Sequence, residues 1–449
     1  MTEIQTFPEH FLWGAATSAY QIEGSPLADG AGPSNWHRFS HLPGAILNGD
    51  HGDVACDHYR RYAEDVDLMR RMGLQAYRFS IAWSRIFPEG RGKPNPKGLD
   101  FYRRLLEKLH GAGIQPFVTL HHWDLPLALD ELGGWANRDC AAWFGDYAQQ
   151  VFHALGDQAS HWTTLNEPWV IVHEGYVEGR HPPGLRSLPQ ARLAAHNLLR
   201  GHALAVQAFR ADGQGQIGLV VNLEPKYAAS EQSEDRAAMA RMHAWMNRHF
   251  LDPVFLGRYP EELGDIYGST PAPFPEDDFR LIQEPIDFLG INYYSRGVVG
   301  HASHAHPFRA ESVRQHHARH TTMDWEVYPE GLKECLLWIK RRYGEIPLYI
   351  TENGAAFDDP EPIEGRIMDT DRIDYLRRHI QAAGAAMAEG VNLRGYFAWS
   401  LFDNFEWAFG YSQCFGLVHI DHSQQKRTLK DSARFYQTVI ANRSVGIVA

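Results

Sequence analysis

Short apolar runs alternate with longer amphipathic stretches along most of the chain. Apolar runs of about four to eight residues, bounded by polar or turn-forming residues, predict buried strands. Eight segments have this pattern: residues 11–16, 76–83, 116–121, 162–166, 217–222, 288–293, 348–351 and 395–400. In most of the intervals, apolar residues recur with the period of a helix buried on one side. These predicted helices are residues 62–72, 101–110, 141–155, 193–210, 332–343 and 371–388.

Alternation of strand and helix predicts an α/β fold with a parallel sheet. Eight units favour closure into a single (β/α)8 TIM barrel with elaborated βα loops, rather than an open sheet. The composition has no break that would mark a linker, so we expect residues 1–449 to form one domain.

Polar residues stand in or just after several of the apolar runs. A polar side chain in such a run is costly unless it is paired, and one polar pocket at the carboxyl ends of the strands accounts for the whole set. The set is Arg78, His121, His122, Asn166, Glu167, Asn222, Asn292, Tyr294, Glu352 and Trp399.

Two glutamates of this set share a local pattern. Glu167 and Glu352 each follow a run of β-forming residues and stand shortly before a proline or glycine. This pattern places each carboxyl group at the mouth of the barrel. Glycoside cleavage needs such a pair, in which one carboxylic acid protonates the leaving oxygen and the other attacks or stabilises the sugar carbon.

The composition argues against several other functions. The chain has 43 basic and 55 acidic residues and a formal net charge of −12, which disfavours general binding to nucleic acid or anionic membranes. The N-terminus lacks the pattern of a signal peptide, and no apolar run is long enough to span a membrane. We therefore expect a cytoplasmic protein.

Cysteines and histidines give little sign of a metal or cofactor. Four scattered cysteines, Cys56, Cys140, Cys335 and Cys414, predict free thiols. Six histidines fall within residues 301–320, where no carboxylate or thiolate has the spacing of a ligand set. We interpret this stretch as a solvated loop, and we expect neither a metal nor a cofactor.

Tryptophan is abundant beside the polar strand ends. Core packing explains most aromatic residues, but Trp123, Trp169, Trp399 and Trp407 stand next to polar positions. An indole there can stack on the apolar face of a sugar ring while its N–H reaches a hydroxyl.

Six motifs in order resemble glycoside hydrolase family 1, the β-glucosidase family. They are residues 11–24, 53–59, 77–83, 164–168, 350–354 and 399–407, and the resemblance covers nearly the whole chain. It implies a retaining β-glycosidase that removes terminal nonreducing β-D-glucosyl residues, and also β-galactosyl or β-fucosyl residues. The small-molecule substrates would be oligosaccharides, such as those of cellulose degradation, or aryl and alkyl glucosides.

The resemblance also implies a role for each matching residue. Glu352 would be the nucleophile that forms a covalent glycosyl-enzyme, Glu167 the acid/base, and Arg78 a support for Glu352. Trp399 would stack on the sugar and Trp325 would line the leaving-group side. The full set of implied substrate contacts is Gln21, His122, Trp123, Asn166, Asn292, Tyr294, Trp325, Trp399, Glu406 and Trp407.

Other polar and aromatic residues have competing structural interpretations. His121 suits a buried structural role and a sugar contact equally, whereas Asp57, His58 and Trp36 are interpreted as structural. His173 and Glu174 occupy positions that are apolar in many relatives, and we expect both to border the leaving-group channel.

Three other functions are weighed against this one. A 6-phospho-β-glycosidase is disfavoured by Glu406, whose carboxylate would repel phosphate. A noncatalytic sugar-binding relative is disfavoured because Glu167 and Glu352 are both present. A thioglucosidase is disfavoured because its acid/base glutamate would be replaced, whereas Glu167 is present. The sequence leaves open the preference among glucose, galactose and fucose, the natural leaving group and the oligomeric state.

Overall fold

Eight parallel strands close into a barrel in the computed structural model, which describes residues 4–268 and 274–446. The strands are β1 Leu12–Ala16, β2 Ala76–Ser80, β3 Gln115–His121, β4 His161–Asn166, β5 Gln216–Asn222, β6 Phe288–Asn292, β7 Leu348–Asn353 and β8 Leu393–Trp399. Neighbours in the barrel are consecutive in the chain, and β8 closes onto β1 with Trp399 opposite Ala16. The predicted barrel is confirmed.

Long helices surround the barrel, and all but the last, Asp431–Asn442, overlap a predicted helix. They are His58–Arg71, Pro96–Gly111, Cys140–Leu155, Leu188–Asp212, Pro329–Tyr343, Thr370–Ala388 and Asp431–Asn442. The helices that begin at His58, Pro96, Leu188 and Pro329 start earlier than the apolar period indicated, and the last three have a proline in the first turn. Proline suits the first helical turn, where its missing N–H is not needed, but adds nothing to an apolar stripe.

Shorter helices occupy the loops between the barrel strands. They are Ala19–Ile22, Asn35–Ser40, Trp83–Ile86, Leu127–Asp130, Pro168–Val172, Ser233–His243, Leu251–Leu256, Leu263–Tyr267 and Glu276–Ile282, with 3-10 turns at Ala28–Gly30, Leu47–Gly49, Gly134–Ala136 and Trp407–Phe409 and π-helical turns at His173–Val177 and Ala244–Arg248. Three small sheets lie outside the barrel: Ile4–Thr6 with Ser444–Gly446, Lys226–Ala228 with Gly297–His301 and Ala310–Ser312, and Val418–Asp421 with Lys426–Leu429.

Two predicted segments need correction. The run at residues 76–83 leaves the strand after Ser80, and Trp83 begins a short helix. The run stays apolar because this loop is buried, so burial concealed the strand end. The His-rich stretch is not only a loop, since Ala310–Ser312 pairs with Gly297–His301. Its histidines are exposed except for His320, which is half-buried.

The barrel interior has an aromatic floor and a polar mouth. Phe117, Phe288, Tyr349 and Phe397 pack together inside the strands, with ring centroids of Phe117 and Phe397 4.7 Å apart. This floor fills the barrel below the carboxyl ends and leaves the polar strand-end residues to surround a pocket above it.

No helix in the described ranges is long and apolar enough to cross a membrane. All four cysteines are free, as predicted.

Candidate active site

A cavity of about 470 Å³ opens at the carboxyl ends of the barrel strands. Both glutamates and most of the predicted substrate contacts line it: Glu167, Glu352, His122, Trp123, Asn292, Tyr294, Trp325, Trp399, Glu406 and Trp407. Gln21, Arg78 and Asn166 stand behind this lining, and each is hydrogen-bonded to a residue that forms it.

Strand register and a left-handed backbone place the two glutamates. Glu352 lies in β7 opposite Asn292 of β6. Glu167 follows β4 with φ of 46° and donates its backbone N–H to the Val220 carbonyl at 2.9 Å. Two other cavity residues, Trp123 and Trp407, have φ of 80° and 50°. Such strained backbone costs about 1–3 kcal/mol per residue and is concentrated at ligand sites.

A close backbone approach explains the glycine that follows Glu352. A Cβ added to Gly354 would fall 1.7 Å from the Trp399 carbonyl oxygen. Only glycine therefore lets β7 leave the barrel beside the end of β8, where the sugar-stacking candidate Trp399 stands.

Glu352 is held by two strong donors. Arg78 Nη1 lies 2.5 Å from Oε1, and the Tyr294 hydroxyl donates to Oε2 at 2.6 Å. Burial has the largest effect and leaves the pKa of Glu352 raised overall, whereas Arg78 and Tyr294 act in the opposite direction. These contacts favour the ionised carboxylate.

Glu167 has a different environment. It is 6% exposed, and Asn292 Nδ2 donates to its Oε1 at 2.7 Å. Burial, followed by the negative charge of Glu352, raises the pKa of Glu167 well above its ordinary value. The pair thus has a carboxylate beside Arg78 and a carboxylic acid beside an amide.

Asparagines bridge the two halves of the pair. Asn166 Oδ1 accepts from Arg78 Nη2 at 2.7 Å and from Asn292 Nδ2 at 3.0 Å. The Thr351 hydroxyl donates to Asn292 Oδ1 at 2.7 Å, which fixes the orientation of that amide. The Asn292 amide lowers the pKa of Glu352 as well as that of Glu167, so one side chain acts on both carboxyl groups.

Glu406 is a third buried carboxyl group in the lining of the cavity. Gln21 Nε2 donates to its Oε2 at 3.3 Å and to the Phe405 carbonyl at 2.8 Å. Burial, and then repulsion from Glu352, raises the pKa of Glu406 to about 8. The sequence did not indicate this shift, because Glu352 is 54 residues away in the chain.

Aromatic rings line the wall next to Glu406. Trp407 packs against Trp123 at 4.6 Å and Trp36 at 4.5 Å between ring centroids, and the His122 ring is parallel to Trp399 at 5.9 Å. Trp36 lies behind Trp407, in the packing role that was predicted for it.

The segment after Glu167 corrects one prediction. Glu174 lines the cavity as expected and forms a two-point pair with Arg180, with both distances 2.7 Å. His173 is outside the lining and stacks beneath Trp169 at 4.4 Å, beside Trp245. Burial lowers the pKa of His173 to about 3, so it is a neutral packing group and not a channel residue.

Three other polar residues have structural roles. His121 is fully buried and accepts from Trp135 Nε1 at 3.3 Å. His58 contacts Asp65 at 2.8 Å, and Asp57 pairs with arginines of its own helix. The structural interpretation of Asp57 and His58 is confirmed, and for His121 the structure favours it.

Sequence reasoning missed much of the outer cavity wall. The missed lining residues are Val170, Arg180, His181, Leu223, Glu224, Met246, Ser295, Met323, Ala408, Phe409 and Phe415. Most belong to long loops without periodicity, so no local pattern marked them. Glu224 had one usable signal, because it follows the strand-end residue Asn222 by two positions.

A (β/α)8 barrel with paired carboxyl groups at its mouth is an arrangement of glycoside hydrolases. The model of glycosyl hydrolase family 1 matches residues 3–445, and the chain belongs to this family. This membership confirms the predicted family and the predicted enzyme class, glycoside hydrolase.

Two curated relatives and one solved structure show the extent of the similarity. Beta-glucosidase A of Thermotoga maritima is 50% identical over 98% of this chain and 99% of its own. A bifunctional beta-D-glucosidase/beta-D-fucosidase of Bifidobacterium breve is 44% identical over 98% of this chain and 99% of its own. The Thermotoga maritima beta-glucosidase in complex with glucoimidazole superimposes with a TM-score of 0.94 at 50% identity, covering 99% of this chain and 100% of that one.

Proposed function

We propose that this protein is a retaining β-glucosidase that acts by double displacement. The observation that supports this most directly is the asymmetry of the carboxyl pair. Arg78 and Tyr294 both donate to Glu352, whereas Glu167 is buried beside an amide and repelled by Glu352. One carboxyl group is therefore suited to be a nucleophile and the other a proton donor.

In the first half of the reaction, Glu352 attacks the anomeric carbon while Glu167 protonates the departing oxygen. Bond formation neutralises the carboxylate of Glu352, and the repulsion that raised the pKa of Glu167 disappears. In the second half, Glu167 is ionised and removes a proton from water, which attacks the glycosyl-enzyme. Glu352 leaves, and the product keeps the β-configuration.

The inner half of the cavity supports a glucosyl ring at the reacting position. Asn166 Nδ2 donates to His122 Nε2 at 3.1 Å, so the His122 hydrogen is on Nδ1 and is available to a hydroxyl. Gln21 and Glu406 supply further polar contacts, and Trp399 supplies the stacking surface. These residues are the proposed substrate contacts, together with Trp123, Asn292, Tyr294 and Trp407.

Acceptance of other sugars is part of the proposal. The Bifidobacterium breve relative is named as both a glucosidase and a fucosidase. A β-D-fucoside lacks the 6-hydroxyl, and a protonated Glu406 that loses this one partner stays neutral in the pocket. We therefore expect this enzyme to accept β-fucosides, and β-galactosides as well. A cytoplasmic location and a single domain over residues 1–449 stay predictions.

Azide rescue tests the roles of the two glutamates. Glu352→Ala should lose hydrolysis, and azide should restore turnover with an α-glycosyl azide as product. Glu167→Ala should keep activity toward aryl glycosides that need no proton, and azide should then give the β-glycosyl azide. Glu174→Ala is the control, since it removes a carboxylate of the same cavity and should yield no azide adduct. An α-configured first product of hydrolysis by the parent enzyme would exclude the retaining mechanism.

A further inference from the structure

Three histidines and an aspartate converge in the loop that connects β1 and β2. His37 Nδ1 lies 3.4 Å from Asp53 Oδ1, while His41 Nε2 and His51 Nδ1 lie 3.2 and 3.5 Å from Asp53 Oδ2. Single ligand atoms of His37, His41 and Asp53 are all within 4.8 Å of one another. None of these residues lines the active-site cavity.

The hydrogen position on His41 leaves a lone pair directed at the carboxylate. His41 Nδ1 is 2.7 Å from the carbonyl oxygen of His37, and a carbonyl can only accept, so Nδ1 carries the hydrogen. In the neutral ring, Nε2 then presents a lone pair to Asp53 at 3.2 Å. Two lone pairs repel unless a proton or a cation lies between them. A histidine whose second nitrogen donates to a backbone carbonyl is also the usual arrangement of a metal ligand.

Two buried polar atoms point to the same position. His37 Nδ1 and Asp53 Oδ1 are shielded from solvent and have no hydrogen-bond partner in the described part of the chain. The exposed fractions of His41 and His51, 41% and 43%, leave a path for an ion from solvent.

We propose that His37, His41 and Asp53 form a binding site for a divalent transition-metal ion of the Zn²⁺ type, with His51 beside it. In a tetrahedral zinc site with bonds of about 2.0–2.1 Å, the ligand atoms are about 3.3–3.4 Å apart. His37 lies 3.4 Å from Asp53 Oδ1 and His41 lies 3.2 Å from Asp53 Oδ2, and both distances are close to this spacing. Two imidazoles and one carboxylate, with water as a further ligand, favour zinc, copper or nickel over calcium and magnesium.

A second group of possible ligand atoms differs from this one, because lysine and arginine side chains already neutralise its charge. Asp359, Asp403 and Cys414 also lie near one another. Lys430 contacts both aspartates, however, and Arg372 pairs with Asp359 at 2.7 Å. The protein's own cations already occupy that position, whereas Asp53 has only histidines and no lysine or arginine among the described ion pairs.

The position of the site suggests what the ion does. Tyr411 donates its backbone N–H to Asp50 at 3.0 Å and its hydroxyl to the His51 carbonyl at 2.9 Å. Trp36, next to His37, packs on Trp407 of the cavity. An ion shared by the helix Asn35–Ser40 and the loop would therefore hold the outer support of Trp407 in place. Its role is structural, separate from the carboxyl pair.

The test uses Co²⁺ and Zn²⁺ with metal-free protein. We expect one equivalent of Co²⁺ to bind, to give the visible absorption of a four-coordinate nitrogen and oxygen site, and to be displaced by Zn²⁺. Zn²⁺ at a hundred times its Kd should raise the Tm by a few degrees. His41→Ala and Asp53→Asn should each lower the Co²⁺ affinity at least about tenfold, which corresponds to about 1.4 kcal/mol.

The matched control is the double variant His316→Ala/His317→Ala, which removes two exposed histidines from the His-rich stretch and should bind Co²⁺ unchanged. Asp53→Asn keeps the side-chain shape and preserves a test if His41→Ala folds poorly. The proposal would be overturned if Co²⁺ did not bind stoichiometrically, or if the parent and Asp53→Asn bound Co²⁺ with equal affinity. Either result would show that His41 and Asp53 form an ion pair without a metal. Loss of the Co²⁺ signal only in His316→Ala/His317→Ala would also overturn the proposal.

Discussion

Arg78 and Glu352 form a buried ion pair in which Nη1 lies 2.5 Å from Oε1 and the side chains are 1% and 4% exposed. A buried charge with its partner removed is strongly destabilised, by about 3–5 kcal/mol. The pair therefore determines the protonation state of Glu352 as well as its position.

Replacing Arg78 tests this coupling. Arg78→Met should lower kcat/KM at least about a hundredfold, because a barrier increase of about 3 kcal/mol has that effect. Removing the cation should also raise the pKa of Glu352, so the acidic limb of the pH profile moves to higher pH. Arg78→Lys, which keeps the charge but loses the 2.7 Å contact to Asn166, should be intermediate. An acidic limb that is unchanged in Arg78→Met would contradict the role of the pair.

The alkaline limb reports on Glu167. Burial is the larger cause of its raised pKa and the charge of Glu352 the second. In Glu352→Gln the pKa of Glu167 should therefore fall but stay above its ordinary value, which is about 4.3. NMR titration of Glu167 in that variant gives the measurement. Because a raised pKa is the cause, the protonated acid is lost as pH rises through it, and kcat/KM falls on the alkaline side.

An unchanged value for Glu167 would show that desolvation alone sets its pKa. A fall to the ordinary value would show that charge repulsion alone does. Asn292→Ala is a useful control here, because it removes the amide at 2.7 Å that lowers the pKa of Glu167, and should move the alkaline limb upward.

Glu406 should determine discrimination against 6-phosphorylated sugars. A phosphate dianion beside this carboxyl group would be repelled by its ionised form, and above pH 8, where that form predominates, we expect kcat/KM for 6-phospho-glucosides to be at least about a hundredfold below that for plain glucosides. Since the pKa of Glu406 is about 8, the carboxylate forms as pH rises through that value. The kcat/KM for plain glucosides divided by that for 6-phospho-glucosides should therefore increase between pH 6 and pH 9.

This ratio is informative because the protonation of Glu167 changes both kcat/KM values in the same way, and its effect cancels from the ratio. Glu406→Gln should reduce the preference for plain over 6-phosphorylated glucosides and make that preference independent of pH. Comparable kcat/KM values for the phosphorylated and plain substrates in the parent enzyme would refute the assignment of Glu406 to this pocket.

The Glu174–Arg180 pair should determine the choice of leaving group. Glu174→Gln keeps the shape but removes the charge, so Arg180 becomes free to pair with a negatively charged leaving group. We expect kcat/KM for carboxyphenyl β-glucosides to rise several-fold relative to neutral aryl β-glucosides. The ratio of glucoside to galactoside activity should stay constant if, as we propose, the pair lies on the leaving-group side of the reacting bond.

The matched control is Glu178→Gln, which removes a neighbouring carboxylate that does not line the cavity. A change in the glucose-to-galactose ratio in Glu174→Gln would refute the placement of the channel. An equal effect of Glu178→Gln would indicate a general change of charge, independent of the pair.

The sequence by itself determined the barrel and the carboxyl pair. Strands and outer helices follow from local periodicity, and a residue's place at a strand end follows from its position in an apolar run, so Glu167 and Glu352 could be assigned to one mouth. The six motifs determined the family for the same reason, since each is a contiguous stretch of chain.

Only the tertiary structure decided which groups touch one another. The raised pKa of Glu406, the pairing of Glu174 with Arg180 and the packing of His173 beneath Trp169 depend on distances between side chains in loops. The convergence of His37, His41 and His51 on Asp53 likewise depends on the path of the loop that follows the helix Asn35–Ser40. Apolar periodicity records which side of an element is buried, but it carries no information about loop paths or about the charge that a distant residue places beside a carboxyl group.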